Sequence, residues 1–215
     1  PNRLLSEQDA AAALVSVAGA KLKSIDATGE WLKKVVKALD QLEQNVYLRA
    51  VTQIKHARFV ATAILLLELS EKDERKLLRC WEKVTFRIFG LLGQDARKKI
   101  REYVQLGYEM LNGDLSENSI LKRLVAIGKD HPIDKVLKEV DWEDCYNRWS
   151  EELRYFMFRY DEYLTSGKEK INQSQWNKIW RSDSSKSIEH ILPQSSKVDY
   201  VHNLGNLTML PPGVN

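Results

Sequence analysis

The sequence has 215 residues, 43% of them hydrophobic and 29% charged, with a formal net charge of +3. This length and composition suit a core of ordinary size, buried in one large domain or in a domain and a half. No apolar run reaches the roughly eighteen residues that span a bilayer, which excludes a membrane span. No signal segment follows Pro1, so we expect a piece of a longer cytoplasmic protein. The two cysteines, Cys80 and Cys145, are too few and too isolated for a disulfide scaffold or a thiolate zinc site.

Residues 1–165 are predicted to form a helical domain, a bundle of several helices. Helical spacing of apolar residues indicates a first helix up to Leu22, a break at residues 25–29, and a second helix that turns Leu32, Val36 and Leu42 inward. A third helix over about 46–69 is apolar on most sides, which places it at the centre of the bundle.

The fourth helix begins at a capping signal, Ser70 with Asp73, and ends at residues 90–93. The last helix of this domain is rich in aromatic residues, and we interpret that stripe as core packing rather than as a platform for stacking bases. Between the fourth helix and this aromatic helix, further helices are predicted over 94–111, 117–128 and 133–139. The aromatic helix itself is predicted over 141–164.

Positive charge is concentrated between Glu71 and Arg101, where ten Lys and Arg residues accompany five acidic ones. Such a block suits the phosphates of a nucleic acid, although a solvated helix face is the alternative interpretation. The densest part of the block supplies the candidate DNA-binding residues, which are Arg97, Lys98, Lys99 and Arg101.

The pattern changes after residue 165. Residues 166–186 are polar and turn-prone and are predicted to be a connector with a short helix near 176–180. In residues 187–215, alternating apolar positions followed by Pro193 predict one short strand, and Gly205 to Leu210 predict a second strand that ends at Pro211. We therefore expect a β-hairpin with a long connection after the helical domain.

This hairpin carries the residues with the clearest chemical potential. His190 has a side chain that takes a proton from water near neutral pH. Glu189 and Asn215 offer oxygen ligands for a hard cation such as Mg²⁺ or Mn²⁺. Adjacent strand residues point to opposite faces, so Glu189 and His190 meet only if the strand ends or bulges before Pro193. Phosphodiester hydrolysis is the natural reaction for such a set, and a histidine that is simply packed is the alternative.

The residues Glu189-His190-Ile-Leu-Pro-Gln194, then His202-Asn-Leu-Gly-Asn-Leu-Thr-Met-Leu210, then Asn215, resemble the HNH (ββα-metal) nuclease motif. More narrowly, they resemble the C-terminal domain of the GmrSD-type restriction enzymes and their SspE-like relatives. The resemblance implies that His190 is the general base and that Glu189 and Asn215 hold one divalent metal, Mg²⁺ or Mn²⁺. It implies that Asn206 braces the metal loop through hydrogen bonds to backbone. For His202, which lies outside the three-residue motif, we favour a structural role over a contact to DNA.

The fold class expected from these observations is mainly α, a multi-helix bundle followed by the C-terminal β-hairpin of an incomplete ββα-metal motif. The helix that completes the motif begins near Asn215, where the sequence stops, so we expect this fragment alone to bind metal poorly and to cleave little.

The resemblance also implies a bacterial restriction or phage-defence role on DNA, modified or unmodified. It implies regulation by an upstream nucleotide-binding domain of the same parent protein. No phosphate-binding glycine motif is present in this chain, so nucleotide chemistry is not expected in these residues. A non-catalytic helical module that regulates or docks a partner is the main alternative. A third possibility is a helical body that binds DNA and recruits another nuclease.

Overall fold

The computed structural model describes residues 25–45, 48–140, 142–149, 151–164, 173–181, 183 and 186–211. The chain divides into two compact units, residues 1–41 and 42–215. Within the described residues there are ten α-helices and one two-stranded antiparallel sheet. The fold is therefore mainly α with a hairpin near the C-terminus, as predicted. No described helix is long and apolar enough to cross a membrane.

Helix α1 covers Ile25–Gln44. The predicted break at residues 25–29 is wrong, because these residues form the first turns of this helix. Leu42 is buried as expected, but Leu32 and Val36 are 43% and 64% exposed. The predicted first helix, up to Leu22, lies outside the described residues.

The predicted third helix is two helices, α2 over Arg49–Thr52 and α3 over Lys55–Leu66. Ile54 separates them with an extended backbone at ψ 101°. Helix α3 is the centre of the core of the second unit, since Val60, Ala61 and Ile64 are fully buried. Helix α5, Ile100–Leu111, approaches α3 closely at Gly107, where an added Cβ atom would lie 2.3 Å from the ring of Phe59.

Helix α4 covers Glu71–Thr85, and its chain continues as a π-helix over Phe86–Leu91. Ser70 caps it as predicted, since its Oγ atom accepts a hydrogen bond from the Asp73 N–H. One side of α4 is buried through Leu77, Trp81 and Val84. Helix α6, Glu117–Ile127, packs beside it, and α7, Ile133–Glu139, follows where it was predicted.

The predicted aromatic helix is also divided, into α8 over Cys145–Arg148 and α9 over Glu151–Leu164. Helix α9 contacts α4 through Glu82, a buried carboxylate that accepts hydrogen bonds from the Tyr155 hydroxyl and from Nε of Arg159. Helix α10, Gln173–Arg181, follows. It is tied to α9 by the buried Arg154, which donates a 2.9 Å hydrogen bond to the Ile179 carbonyl oxygen.

The hairpin pairs β1, Ile188–His190, with β2, Leu207–Met209. Its register is Ile188 with Met209, Glu189 with Thr208, and His190 with Leu207. The hairpin rests on α8 and α9 through a small core formed by the buried side chains of Cys145, Leu153, Ile188 and Leu207. This small core fixes the strand end that carries His190.

Candidate active site

His190 is the last residue of β1 and its side chain is half-buried. Its Nε2 atom lies 3.2 Å from Nδ1 of His202, and its Nδ1 atom lies 3.3 Å from Nε2 of the exposed Gln194. An amide nitrogen donates hydrogen bonds, so Nδ1 of His190 accepts one from Gln194. The neutral ring then carries its proton on Nε2, which donates to His202. This arrangement leaves the lone pair of His190 on the nitrogen that faces the exposed Gln194.

Tyr146, from helix α8, packs against the rings of both histidines. Its ring centre lies 4.3 Å from that of His190, and it stacks on His202 with an interplanar angle of 13°. The backbone of α8 is joined to the same loop, since Tyr146 N–H donates to the His202 carbonyl oxygen at 3.4 Å. The sequence placed Tyr146 among the core aromatics, and no local pattern distinguished it from its neighbours.

The surroundings of His190 favour its neutral form. Burial is the largest cause that lowers the pKa of His190 below the ordinary value of 6.5, and the neighbouring His202 lowers it further. Glu189 opposes this shift. At neutral pH the imidazole is therefore unprotonated and able to accept a proton.

Asn206 is buried directly before β2 and holds the long connection of the hairpin closed. Its Oδ1 atom accepts a 2.8 Å hydrogen bond from the Leu192 N–H. Its Nδ2 group donates to the carbonyl oxygens of Leu192 and Val201, at 3.1 and 2.8 Å. A single side chain thus joins both ends of the segment between residues 192 and 201 through hydrogen bonds to backbone groups.

Glu189, an expected metal ligand, is half-buried in the middle of β1. The strand pairing is unbroken from Ile188 to His190, so no bulge turns Glu189 towards the face of His190. Asn215, the second expected ligand, lies outside the described residues. Among the residues that are described, no group of three or more His, Cys, Asp and Glu side chains is placed to hold a metal ion.

A hard cation such as Mg²⁺ does not require such a group, because it keeps several waters and binds through one or two oxygen ligands together with substrate phosphates. The carboxylate of Glu189 fits such an ion chemically. The described residues alone supply one of the two expected ligands.

The expected DNA-binding residues belong to a separate segment, at and before the start of α5. Arg97 is paired with Asp95 at 2.6 Å, and Lys99 is paired with Asp130 at 2.7 Å. Lys98 and Arg101 are exposed and form no ion pair within the described residues. Two of these four cations are therefore paired with acidic residues, which the sequence pattern did not indicate.

The fold and the site define a helical protein with a C-terminal hairpin, in which a strand-end histidine is bonded to a second histidine beside a buried asparagine. Residues 130–215, which contain this whole arrangement, match the family model described as GmrSD restriction endonucleases, C-terminal domain. This match supports the resemblance to the GmrSD-type restriction enzymes that the motif predicted. No curated protein and no solved structure matches the chain.

Proposed function

We propose that the chain is a metal-dependent HNH endonuclease domain of a bacterial modification-dependent restriction or phage-defence protein. The observation that carries this proposal is the pairing of His190 with His202 within the segment that matches the GmrSD C-terminal domain. The substrate that a restriction endonuclease domain implies is DNA. Since one HNH site cuts one strand at a time, nicking is the simplest activity of a single chain.

His190 acts as the general base in this proposal. A water molecule takes the place of the exposed Gln194 side chain at Nδ1 of His190 and gives up a proton to that nitrogen as it attacks the phosphorus atom. His202 accepts the Nε2 proton in a hydrogen bond and thereby keeps the reactive lone pair on Nδ1. His202 is thus a positioning residue, a more specific role than the structural one favoured from the sequence.

Glu189 and Asn215 are the residues that would hold the metal, Mg²⁺ or Mn²⁺. When bound, such an ion neutralises charge on the scissile phosphate and on the leaving oxygen. Asn206 acts without touching substrate, because its amide fixes the two ends of the segment that carries Gln194 and directly precedes His202. We also propose, from the family resemblance, that an upstream nucleotide-binding domain of the same protein controls this site.

Nicking of supercoiled plasmid in the presence of Mg²⁺ or Mn²⁺ tests the proposal, with modified and unmodified DNA in parallel. His190→Ala is expected to lower the rate by about 10² to 10⁴, the usual contribution of a general base. His131→Ala is the matched control, since His131 is half-buried but lies outside the hairpin. Metal-dependent nicking that survives in His190→Ala would rule out His190 as the general base. The absence of nicking by the unaltered chain on every DNA would leave two interpretations, a nuclease site that requires the upstream domain and the non-catalytic helical module.

A further inference from the structure

Helix α4 presents an exposed basic face, formed by Lys72, Arg75, Lys76, Arg79 and Lys83. The five residues recur at intervals of three and four, which places them within about 100° of arc on one side of a helix. They line a shallow groove along the helix together with Glu71 and Cys80. The opposite side of α4 carries the buried residues, so the basic side chains extend into solvent.

The acidic residues of α4 lie away from the basic face or are already bonded. Glu82 is buried and bonded to Tyr155 and Arg159. Asp73 lies in the first turn and interacts with the capping Ser70. Glu71 pairs with Arg75, but both side chains are at least 70% exposed, and such a pair is weak.

The other four cations of the basic face, Lys72, Lys76, Arg79 and Lys83, form no ion pair with any residue that the structure describes. The face therefore keeps most of its positive charge. In the segment before α5, by contrast, two of the four cations, Arg97 and Lys99, are paired with acidic residues.

The dimensions of the basic face suit a nucleic-acid backbone. From Lys72 to Lys83 a helix rises about 16 Å, and the phosphates of one strand of a duplex are spaced about 3.4 Å apart along its axis. The face is thus as long as about five successive phosphates. Flexible lysine and arginine side chains along such a length neutralise phosphates without reading bases.

We infer that the basic face of α4 binds the sugar–phosphate backbone of double-stranded DNA and holds the duplex independently of its sequence. The choice of DNA as the occupant rests on the proposed nuclease function, whereas the affinity for a polyanion rests on the charge of the helix alone.

The test measures binding of a fluorescent DNA duplex to the full chain by anisotropy, without divalent metal and in a His190→Ala background. Binding is then observed whether or not the chain cleaves DNA, and failure of this inference is distinguishable from failure of the nuclease proposal. The variant replaces Lys72, Lys76, Arg79 and Lys83 by glutamine. We expect Kd to rise at least about tenfold at 0.1 M salt. The slope of the logarithm of the association constant against the logarithm of the salt concentration should become shallower by 3 to 4, about 0.9 for each lost phosphate contact.

A matched control replaces four exposed lysines elsewhere, Lys55, Lys122, Lys129 and Lys138, and removes the same total charge. This control is expected to keep most of the affinity and salt slope. Equal losses in both variants, or no loss in the α4 variant, would overturn the inference. Preferential binding of RNA or of an acidic polypeptide would overturn it as well.

The single change Arg79→Lys keeps the charge and is expected to bind as the parent does, whereas Arg79→Gln is expected to lower the slope by about one. These single variants decide the question if the fourfold variant does not fold. Identical slopes for Arg79→Lys and Arg79→Gln would exclude Arg79 from the interface.

Discussion

Nε2 of His190 lies 3.2 Å from Nδ1 of His202, so the end of strand β1 is bonded to the far end of the hairpin connection. The two histidines are twelve positions apart in the sequence. Tyr146 of helix α8 contacts both rings and holds them from a third direction. The orientation of the proposed base is therefore determined by three segments of the chain.

Loss of the His202 ring is expected to slow cleavage without abolishing it. His202→Ala removes the acceptor for the Nε2 proton of His190, and we expect a fall of about 10- to 100-fold in the rate, the usual cost of losing such a partner. His202→Gln retains an acceptor oxygen and is expected to recover part of the rate. The ¹⁵N chemical shifts of the His190 ring should show its proton moving from Nε2 in His202→Ala.

Tyr146→Phe serves as the control for this series, because it preserves the ring contacts of the tyrosine. It is expected to leave the rate and the ¹⁵N shifts nearly unchanged. If His202→Ala cuts as fast as the parent, His202 is structural only.

Asn206→Ala is expected to lower both stability and cleavage. The substitution removes three hydrogen bonds from a buried amide and leaves backbone groups of Leu192 and Val201 without their partner. The cost is about 1 to 3 kcal/mol in the free energy of unfolding. Thermal or denaturant unfolding followed by circular dichroism measures it.

Asn203→Ala changes a neighbouring asparagine whose Oδ1 atom is buried without a hydrogen-bond partner among the described residues. Because no such bond is lost, this control should cost less than Asn206→Ala. Equal stability of the two variants would contradict the bracing role of Asn206.

Stability is expected to fall as the pH is lowered below neutrality. Burial is the main cause that lowers the pKa of His56 from 6.5, against smaller opposing effects of the Lys98 backbone and Glu102. The folded state therefore binds fewer protons than the unfolded chain, and the free energy of unfolding rises with pH. The contribution of His56 to the free energy of unfolding is present at pH values above its pKa in the unfolded chain. It is lost as the pH falls through the pKa of His56 in the folded state.

Denaturant titrations between pH 5 and 8 measure this dependence. His56→Leu is expected to flatten the curve, although His131 and His190, whose pKa values are also lowered, keep part of the slope. An unchanged pH dependence in His56→Leu would show that His56 is not the responsible group.

The buried carboxylate of Glu82 joins helix α4 to helix α9, and its removal is expected to destabilise the second unit. Glu82→Gln leaves Arg159 without its main partner and weakens the bond to the Tyr155 hydroxyl. We expect a loss of about 2 to 3 kcal/mol, less than for a fully buried pair because the Arg159 side chain is 36% exposed.

Glu162→Gln is the matched control, since Glu162 pairs with the same arginine but is 46% exposed. Its expected cost is at most about 1 kcal/mol. Chemical denaturation of the two variants compares them, and equal losses would show that burial of Glu82 adds nothing.

Local patterns in the sequence predict much of the fold. The capping pair Ser70 and Asp73 locates the start of α4, and alternation before Pro193 locates β1. The break between α2 and α3 was not predictable, because residues 53 and 54 are neither glycine nor proline and tertiary contacts decide the backbone there. Leu32 and Val36 have the spacing of inward residues, but helical spacing alone does not say which side of a helix is covered.

In the candidate site, too, some features follow from local sequence patterns and others depend on contacts between distant segments. His190, Glu189 and Asn206 were proposed as site residues from their motif, because residues close together in the sequence leave a local signal. The contact of His190 with Tyr146 depends on α8 docking against the hairpin, a relationship between distant segments that no local pattern contains. The neutralisation of Lys99 by Asp130, 31 positions away, was hidden for the same reason.

The hydrogen bonds of Asn206 fix the geometry around His190 independently of which residues form the exposed loop. Residues 193–197, 199 and 200 are exposed, and the side chain of Asn206 holds the ends of the segment at Leu192 and Val201. Lengthening such a loop costs little closure entropy, about 0.6 kcal/mol for each doubling. Residues 195–200 can therefore be exchanged or extended while the strand end that carries His190 stays in place, because the hydrogen bonds of Asn206 lie outside them.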